Sequence, residues 1–185
     1  MNTKYKDYIK QITETLSTIR QGELSDVIRC LALSPCIYFC GNGGSAANAS
    51  HFSQDLFKYG FDNSLNIKTV SLVDSVPIIT ATANDSDYSC IFSNVVSVFC
   101  SFRDALVIIS GSGSSENIVK AATIGKEKGV NIIALVGFDG GTIKKDKLYT
   151  HLLHVKSYDM EVVESVHAVL IHYITHSVID YIKDN

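Results

Sequence analysis

The strongest constraint on the fold is the alternation of short, β-branched apolar runs with longer segments of helical period. Five runs are predicted strands: 36–40 (CIYFC), 67–72 (IKTVSL), 105–110 (ALVIIS), 131–137 (NIIALVG) and 151–155 (HLLHV). Such runs are typical of parallel strands that are buried on both faces. Helical patterns at 44–59, 75–100, 115–128 and 141–146 lie between them. The alternation predicts an α/β fold, a three-layer doubly wound sheet of five parallel strands flanked by helices.

Further helices are predicted at both ends of the chain. Two precede the sheet, at about 4–20 and 24–33, with Gly22 marking the break between them. A long last helix is predicted at about 161–182. We find no linker, internal repeat or low-complexity tract, so residues 1–185 are expected to form a single domain.

Composition and charge exclude several classes of function. The net charge is only −3 and the basic residues are scattered, so no nucleic-acid partner is expected. The polar N-terminus lacks the apolar core of a signal peptide, and no run approaches the roughly 18 apolar residues that span a membrane. Five cysteines form an odd number without CxxC spacing, which favours a reducing cytoplasm. A cytoplasmic enzyme or binding protein fits best.

The first predicted strand is followed by a glycine-rich loop that opens a helix. Its residues are Gly41, Asn42, Gly43, Gly44 and Ser45, with the helix predicted from near Ala46. Unpaired N–H groups and the positive dipole end at a helix N-terminus favour an anion. The loop matches neither the dinucleotide nor the nucleoside-triphosphate fingerprint. The alternative is an ordinary tight turn.

A second loop of the same kind follows the third predicted strand, at 110–117 (SGSGSSEN). Its hydroxyls and backbone N–H groups can bind a phosphate without a lysine, which suits a phosphomonoester better than a triphosphate with magnesium. The alternative is a flexible loop with a helix cap at Ser115. Two phosphate-binding loops at strand ends match the usual ligand position of a doubly wound sheet.

Four further polar side chains are expected to face one another. His51 and Asp55 are four residues apart and share one face of the helix that leaves the first loop. Glu164 and His172 are eight apart, about 80° around the axis of the last helix. Two imidazoles and two carboxylates suit zinc. The alternative is a set of ordinary salt bridges. The other four histidines are expected to be core or interface residues: His151, His154, His167 and His176.

The chain resembles a known family over about residues 5–182. The segments GNGGSAA, SHFSQDL, ATANDSDY, ISGSGSSENI, ALVGFDGG and VESVHAVLIH occur in the order typical of the sugar isomerase (SIS) domain, and specifically of bacterial phosphoheptose isomerases. The resemblance implies the SIS fold, a phosphorylated sugar substrate and a homotetramer with each active site at a subunit interface. It also implies one zinc ion per subunit, as in several members. The apolar face of the first helix is compatible with interface packing.

The resemblance also assigns roles to positions of this sequence. It implies that Asp55 and His172 are the catalytic acid/base pair. The implied metal ligands are His51, Asp55, Glu164 and His172. The implied substrate-binding residues are Asn42, Gly43, Gly44, Ser45, Asn84, Asp85, Ser110, Ser112, Ser115, Asn117 and Glu164. From the sequence alone, Asn84 and Asp85 could equally be a helix-capping pair.

Three positions depart from the commonest family pattern. Asp55 stands where the family usually has glutamate, and Glu164 stands where it has glutamine, so this site carries one more negative charge. Gly111 replaces a common threonine, and Ser114 is expected to supply a hydroxyl nearby. We therefore expect phosphate binding to survive these changes.

The activity implied by the resemblance is an aldose–ketose isomerisation. Sedoheptulose 7-phosphate would be converted through an enediol to D-glycero-D-manno-heptose 7-phosphate, for nucleotide-activated heptoses of lipopolysaccharide or capsule. One alternative is a non-catalytic SIS protein that binds a phosphosugar or associates with a replication initiator. Another is a phosphosugar-sensing regulator, which would need a DNA-binding segment. The presence of His51 and His172 favours the enzyme.

Overall fold

The computed structural model describes residues 3–185 and contains the five predicted strands in a single parallel sheet. The strands are β1 (Ile37–Gly41), β2 (Thr69–Ser71), β3 (Ala105–Ser110), β4 (Asn131–Val136) and β5 (His151–His154). Their order across the sheet is β2-β1-β3-β4-β5, and every neighbouring pair is parallel. The predicted α/β fold is confirmed. The edge strand β2 is shorter than predicted, three residues that are all at least partly exposed.

Eight α-helices and one 3₁₀ turn accompany the strands within the described part of the chain, with two of the helices before the first strand and one after the last strand. The helices are α1 (Thr3–Leu16), α2 (Gln21–Ala32), α3 (Gly44–Asp62), α4 (Val76–Asp85), α5 (Ser93–Phe99), α6 (Glu116–Glu127), α7 (Gly141–Lys145) and α8 (Met160–Asp184). The 3₁₀ turn is Tyr88–Cys90. The side chain of Asp159 accepts hydrogen bonds from the backbone N–H groups of Glu161 and Val162, so it caps the start of α8.

Two hydrophobic cores lie on opposite faces of the sheet. Alternate residues of each central strand point to opposite faces, so Ile37 and Phe39 of β1 face one core while Tyr38 and Cys40 face the other. Helices α2, α3 and α8 contribute buried residues to the first core, and α1 packs onto it. Helices α5, α6 and α7 contribute to the second core. This arrangement is the predicted three-layer sandwich.

The helical pattern over 75–100 is divided in the structure into α4, the 3₁₀ turn and α5, and α4 ends at the Asn84–Asp85 pair, where the sequence allowed a helix cap. The break follows the polar run at 84–87 (NDSD). The side chain of Asp87 accepts a hydrogen bond from the backbone N–H of Ser89 at 2.7 Å. Short polar side chains that bond to nearby backbone in this way compete with helix propagation.

The break between the first two helices also differs from the prediction. Helix α1 ends at Leu16 instead of residue 20, and Gly22 lies in the first turn of α2. The hydroxyls of Ser17 and Thr18 donate to the carbonyl oxygens of Glu14 and Thr15, which satisfies acceptors at the end of α1. Helix α1 therefore ends at hydrogen bonds from these side chains to its last carbonyl groups, and not at a glycine.

The C-terminal helix α8 is long and apolar enough to cross a membrane by length and composition alone. More than half of its most apolar window is buried inside the fold, and it packs against α1, α2 and α3. It is therefore the central helix of one core. The apolar face of α1 packs on the same core through Tyr8, Ile12 and Leu16, so that face is used within the chain.

Candidate active site

The site is positioned by the point at which the strand order reverses. The chain leaves β1 for β2 on one side of the sheet, and β3 then pairs with the opposite side of β1. Ligands of doubly wound sheets bind at this switch point, outside the carboxyl ends of the strands. The two loops singled out in the sequence, after β1 and after β3, both begin here.

A cavity of about 240 Å³ lies between these two loops. Its lining residues are Asn42, Gly43, Gly44, Ser45, Ser110, Gly111, Ser112, Ser115, Met160 and Glu164. Eight of these ten are predicted substrate-binding residues, all but Gly111 and Met160. The cavity is therefore where the sequence predicted a phosphate site.

Backbone conformation fixes the first loop. Gly43 has a φ of +56°, in the left-handed region that favours glycine. A Cβ at Gly41 would lie 2.5 Å from the carbonyl oxygen of Ser45, so the loop folds back tightly on itself. Helix α3 begins at Gly44, the first residue of the helical pattern in the sequence, and its N-terminus opens at the cavity. Its free N–H groups favour an anion there.

The second loop presents hydroxyl groups that each accept one hydrogen bond from the loop's own backbone. Ser110 Oγ accepts from the backbone N–H of Gly113 at 3.1 Å, and Ser112 Oγ accepts from that of Ser114 at 3.2 Å. Each hydroxyl keeps its own hydrogen for an acceptor in the cavity. Ser115 precedes α6 and also lines the cavity. This end of the site is a set of donors suited to phosphate oxygens.

Ser114 does not take the place of the hydroxyl absent at position 111. Its Oγ accepts from the backbone N–H of Thr142 at 3.1 Å, and it lines a different depression together with Asp139 and Thr142. That depression lies on the far side of the loop, beside α7. The expectation that Ser114 adds a phosphate donor is wrong for this conformation.

Met160 is a cavity residue that sequence reasoning missed. The thioether of Met160 occupies the space beside Gly111, where a Cβ would overlap its sulfur. The two residues are far apart in sequence and meet because α8 begins beside the second loop. The sequence alone gives no signal for this contact, because a single methionine at the start of a helix forms no pattern.

Glu164 lies in the cavity, at the N-terminus of α3. A Cβ at Gly44 would overlap both carboxylate oxygens of Glu164, so the carboxylate rests directly against the first turn of the helix. The positive end of the α3 dipole favours a negative charge in this position. Asn48 donates to the carbonyl oxygen of Glu164 at 3.2 Å, which ties α3 to α8 beside the cavity.

Three of the four predicted metal-site residues converge farther along the same two helices. His51 Nε2 and His172 Nδ1 each lie 3.3 Å from Asp55 Oδ2, and the two imidazole rings are 4.9 Å apart, edge to face. The Asp55 side chain is 14% exposed, whereas those of His51 and His172 are 46% and 51% exposed. One carboxylate oxygen is thus shared by two half-exposed imidazoles.

Glu164 is not part of this group. It shares helix α8 with His172, but eight residues correspond to about 12 Å of rise along the axis. The shared angle around the helix axis therefore does not bring the two side chains together. Of the predicted ligand set, His51, Asp55 and His172 come together, and Glu164 lies at the other end of the site.

The three converging residues fit a zinc ion. Their ligand atoms all lie within 4.8 Å of one another. Nitrogen and oxygen ligands 2.0–2.2 Å from a tetrahedral ion are about 3.3 Å apart, close to the two separations from Asp55 Oδ2. Two imidazoles and one carboxylate are a common donor set of catalytic zinc, which leaves a position for water or substrate.

The other predicted binding residues lie outside the cavity lining. Asn84 and Asp85 are exposed at the end of α4, where Asn84 donates to Asp85 at 2.7 Å. Asn117 is buried behind the cavity and hydrogen-bonds to Asn42. Their contact with a substrate stays a prediction.

Two other histidines and two of the cysteines are packed against neighbouring side chains or buried in the fold. His167 is fully buried in the first core, and burial lowers its pKa to about 4. His176 packs edge to face on Tyr59 with ring centroids 4.8 Å apart. Within the described residues all five cysteines are free. Burial raises the pKa of the Cys40 and Cys100 thiols, so these two behave as small apolar groups.

A larger depression of about 390 Å³ lies at the opposite edge of the sheet. It is lined by Arg29, Arg103, Asn131 and His151 among others, close to the amino ends of β4 and β5. Parallel sheets bind ligands at the carboxyl ends of their strands. The smaller cavity between the glycine loops is therefore the candidate active site.

Comparisons with known proteins agree with this choice. The family model of the SIS domain matches residues 3–137. A phosphoheptose isomerase of Coxiella burnetii is 34% identical over 160 residues, covering 83% of this chain and 77% of the relative. A phosphoheptose isomerase of Helicobacter pylori is 32% identical over 169 residues, covering 91% of this chain and 86% of the relative.

The solved structures include a phosphoheptose isomerase from Francisella tularensis. It superposes with a TM-score of 0.85 at 25% sequence identity, over 97% of this chain and 96% of that one. The similarity therefore extends over nearly the whole of both chains.

Proposed function

This chain belongs to the phosphoheptose isomerases of the SIS-domain family, and we propose that it converts sedoheptulose 7-phosphate to D-glycero-D-manno-heptose 7-phosphate. The observation that carries the proposal is the pairing of two sites along α3 and α8. A donor-lined cavity lies at one end, and a shared carboxylate between two imidazoles lies at the other.

The separation of the two ends fits a long sugar phosphate. Glu164 in the cavity and His172 in the His–Asp–His group are about 12 Å apart along α8. An extended chain covers about 3.5 Å per three bonds, so an open seven-carbon sugar spans roughly 8–10 Å from C2 to a phosphate on C7. The lengths of the side chains that contact the two ends of the sugar account for the remaining distance. A triose phosphate would span about half this distance and could not use both ends.

The cavity would hold the phosphate. Hydroxyls of Ser45, Ser110, Ser112 and Ser115 and the N-termini of α3 and α6 supply its hydrogen bonds. The Glu164 carboxylate, which lies against the first turn of α3, can accept a hydrogen bond from a sugar hydroxyl.

Asp55 and His172 would move the protons. One member of the pair removes a proton from C1 of the ketose while the other protonates the carbonyl oxygen at C2, which gives the enediol. The enediol then loses the proton of its C1 hydroxyl and gains one at C2, which completes the aldose with no net change in atoms or electrons. His172 Nδ1 lies 3.3 Å from Asp55 Oδ2, so in the metal-free site the two groups can exchange a proton between these steps.

His51, Asp55 and His172 would hold one zinc ion per subunit. When bound, zinc supplies a Lewis acid that polarises the substrate oxygens. His51 also lies beside Asp55 and orients its carboxylate. Asp55 is one methylene shorter than the glutamate that is usual in the family, so its carboxylate reaches less far from the helix.

We further propose a homotetramer in the cytoplasm, with active sites at subunit interfaces. The half-exposed rings of His51 and His172 leave the reacting end open on one side. Exposed apolar side chains of α4 and α5 offer a contact surface, among them Val76, Ile78, Val98 and Phe99. Asn84 and Asp85 stand on the same α4 and would reach a sugar hydroxyl in such an assembly. Light scattering on the purified protein measures the assembly directly.

The test is incubation of the purified protein with sedoheptulose 7-phosphate, with aldoheptose phosphate as the readout. We expect turnover that falls on treatment with chelator and returns with zinc. Replacing His172 by alanine should reduce kcat by at least about 100-fold, the contribution of a positioned acid or base. His176→Ala, one turn farther along α8, is the matched control and should keep most of the activity. An inactive wild type, or equal loss in both variants, would refute the proposal.

A further inference from the structure

A reciprocal pair of hydrogen bonds joins the two loops of the phosphate cavity. Asn42 Nδ2 donates to Asn117 Oδ1 at 2.9 Å, and Asn117 Nδ2 donates to Asn42 Oδ1 at 2.8 Å. Asn42 belongs to the loop after β1, and Asn117 stands in the first turn of α6, immediately after the other loop. The side chains therefore bridge the two walls whose separation sets the width of the cavity.

The bridge is held on both sides by further hydrogen bonds. Asn117 is buried, and its Oδ1 also accepts from the backbone N–H of Ile118 at 3.0 Å. Asn42 Oδ1 also accepts from the hydroxyl of Tyr88 at 3.2 Å. Each amide oxygen thus receives two donors, which fixes the orientation of both amide groups.

Tyr88 links the bridge to a third segment, the 3₁₀ turn between α4 and α5. Next to it, the hydroxyl of Ser89 accepts a hydrogen bond from Lys120 of α6. Lys120 is one turn beyond Glu116, with which it forms a salt bridge at 3.1 Å. The contacts close a ring that runs from α6 through Asn117, Asn42 and the 3₁₀ turn, and back to α6.

We propose that this ring is a positioning device, in which Tyr88, Asn42 and Asn117 hold the two phosphate-binding loops at a fixed separation. The inference rests on the proposed function, since it concerns how tightly that cavity binds phosphate. Preorganised donors bind an anion more tightly because less ordering of the loops is needed on binding. Tyr88 acts through Asn42, so it is a positioning residue of the site and not a catalytic one.

The test is the variant Tyr88→Phe, which removes one hydroxyl and keeps the ring. We measure the Kd of inorganic phosphate by calorimetry, KM and kcat with sedoheptulose 7-phosphate, and Tm. We expect Kd and KM to rise together by about threefold to tenfold, the effect of one neutral hydrogen bond. We expect kcat within about twofold of wild type and little change in Tm, since the Tyr88 side chain is largely exposed. Tyr5→Phe on α1, with 58% exposure against 55% for Tyr88, is the matched control.

A double-mutant cycle on Asn42→Ala and Asn117→Ala gives a second measurement. Because both changes break the same pair of hydrogen bonds, we expect the double variant to lose no more phosphate affinity than the weaker-binding single variant. If these variants fail to fold, Tyr88→Phe decides alone.

The outcomes separate this inference from the proposed function. If wild type binds no phosphate, the proposed cavity is wrong and the inference falls with it. If wild type binds phosphate and Tyr88→Phe binds it equally well, the positioning role is refuted while the proposed function stands. A lower Tm with unchanged Kd likewise refutes the positioning role and indicates a purely structural contact.

Discussion

The two ends of the site differ in how they are built. The phosphate cavity is made of loop backbone and small hydroxyl side chains, held by glycine conformations and by hydrogen bonds within one chain. The His–Asp–His group is made of long side chains on two helices, and two of its three members are about half exposed. The cavity is therefore lined by residues of a single chain, whereas the His–Asp–His group is open on one side.

We therefore expect the two loops to determine phosphate affinity and the side chains on α3 and α8 to determine turnover. Changes in the loops should alter phosphate binding and the stability of the fold, because the loops are packed against each other and against the turn at Gly140. Changes in Asp55 or His172 should alter turnover and leave phosphate binding nearly intact. The comparison would fail if the two kinds of change produced the same effects.

The largest expected effect is at Asp55. Asp55→Asn removes the charge that both imidazoles share, and we expect kcat to fall by about 100-fold or more with KM nearly unchanged. Asp55→Glu keeps the carboxylate, adds reach and restores the residue common in the family, so it should remain active. Steady-state kinetics of the two variants measures this. An inactive Asp55→Glu, or a fully active Asp55→Asn, would contradict the assigned role.

A smaller effect is expected at Gly113 in the second loop. Its φ is +62°, and a Cβ there would overlap the carbonyl oxygen of Gly140. We expect Gly113→Ala to lower the free energy of unfolding by about 2 kcal/mol and to weaken phosphate binding. Urea unfolding and phosphate calorimetry measure the two effects.

Gly22→Ala is the matched control for that loop variant. Gly22 lies in a helical turn of α2, and a Cβ there would meet nothing within 4 Å. Alanine should raise the free energy of unfolding by up to about 1 kcal/mol and leave phosphate affinity unchanged. If Gly113→Ala and Gly22→Ala changed the free energy of unfolding and the phosphate affinity equally, the second loop would not be conformationally constrained.

The smallest expected effect is on the pH dependence of stability, and it arises at His167, a buried residue of α8. Among residues 3–185 neither ring nitrogen of His167 has a hydrogen-bond partner, and burial lowers its pKa to about 4 from the usual 6.5. Between these values the unfolded chain binds a proton that the folded chain does not, so stability is lost as pH falls from 6.5 towards 4. The loss between pH 7.5 and 5.5 should be about 1 kcal/mol.

His167→Leu tests this origin of the pH dependence. Urea unfolding of wild type and variant at both pH values gives the difference in pH dependence, whatever the variant does to absolute stability. The variant should lose about 1 kcal/mol less than wild type between the two pH values. An identical pH dependence would show that His167 is not the group responsible.

Local patterns predicted most of the fold and the binding end of the site. The β-branched runs gave all five strands, and glycine and serine spacing identified both loops, because these features depend on neighbouring residues. Contacts between distant segments could not be predicted in this way. Met160 beside Gly111 and Tyr88 beside Asn42 meet only through the arrangement of α8 and the 3₁₀ turn around the loops.

Two features of the structure have causes that local patterns contain. Helix α4 ends at Asp85, and the Asp87 side chain then accepts a hydrogen bond from the backbone N–H of Ser89, which favours the 3₁₀ turn over further helix. Spacing along a helix sets both the angle around the axis and the rise along it. Glu164 and His172 share a broad face of α8 but are about 12 Å apart along it, so Glu164 lies at the cavity, in agreement with its predicted substrate-binding position, and away from His172.

The most direct measurement is a crystal structure of the His172→Ala variant bound to sedoheptulose 7-phosphate. We predict the phosphorus between the hydroxyls of Ser110, Ser112 and Ser115, with the C1–C2 end of the open sugar in hydrogen-bond reach of Asp55. A phosphate bound elsewhere, such as in the depression beside Arg29 and Arg103, would contradict the account. So would a sugar whose reacting carbons lie away from Asp55.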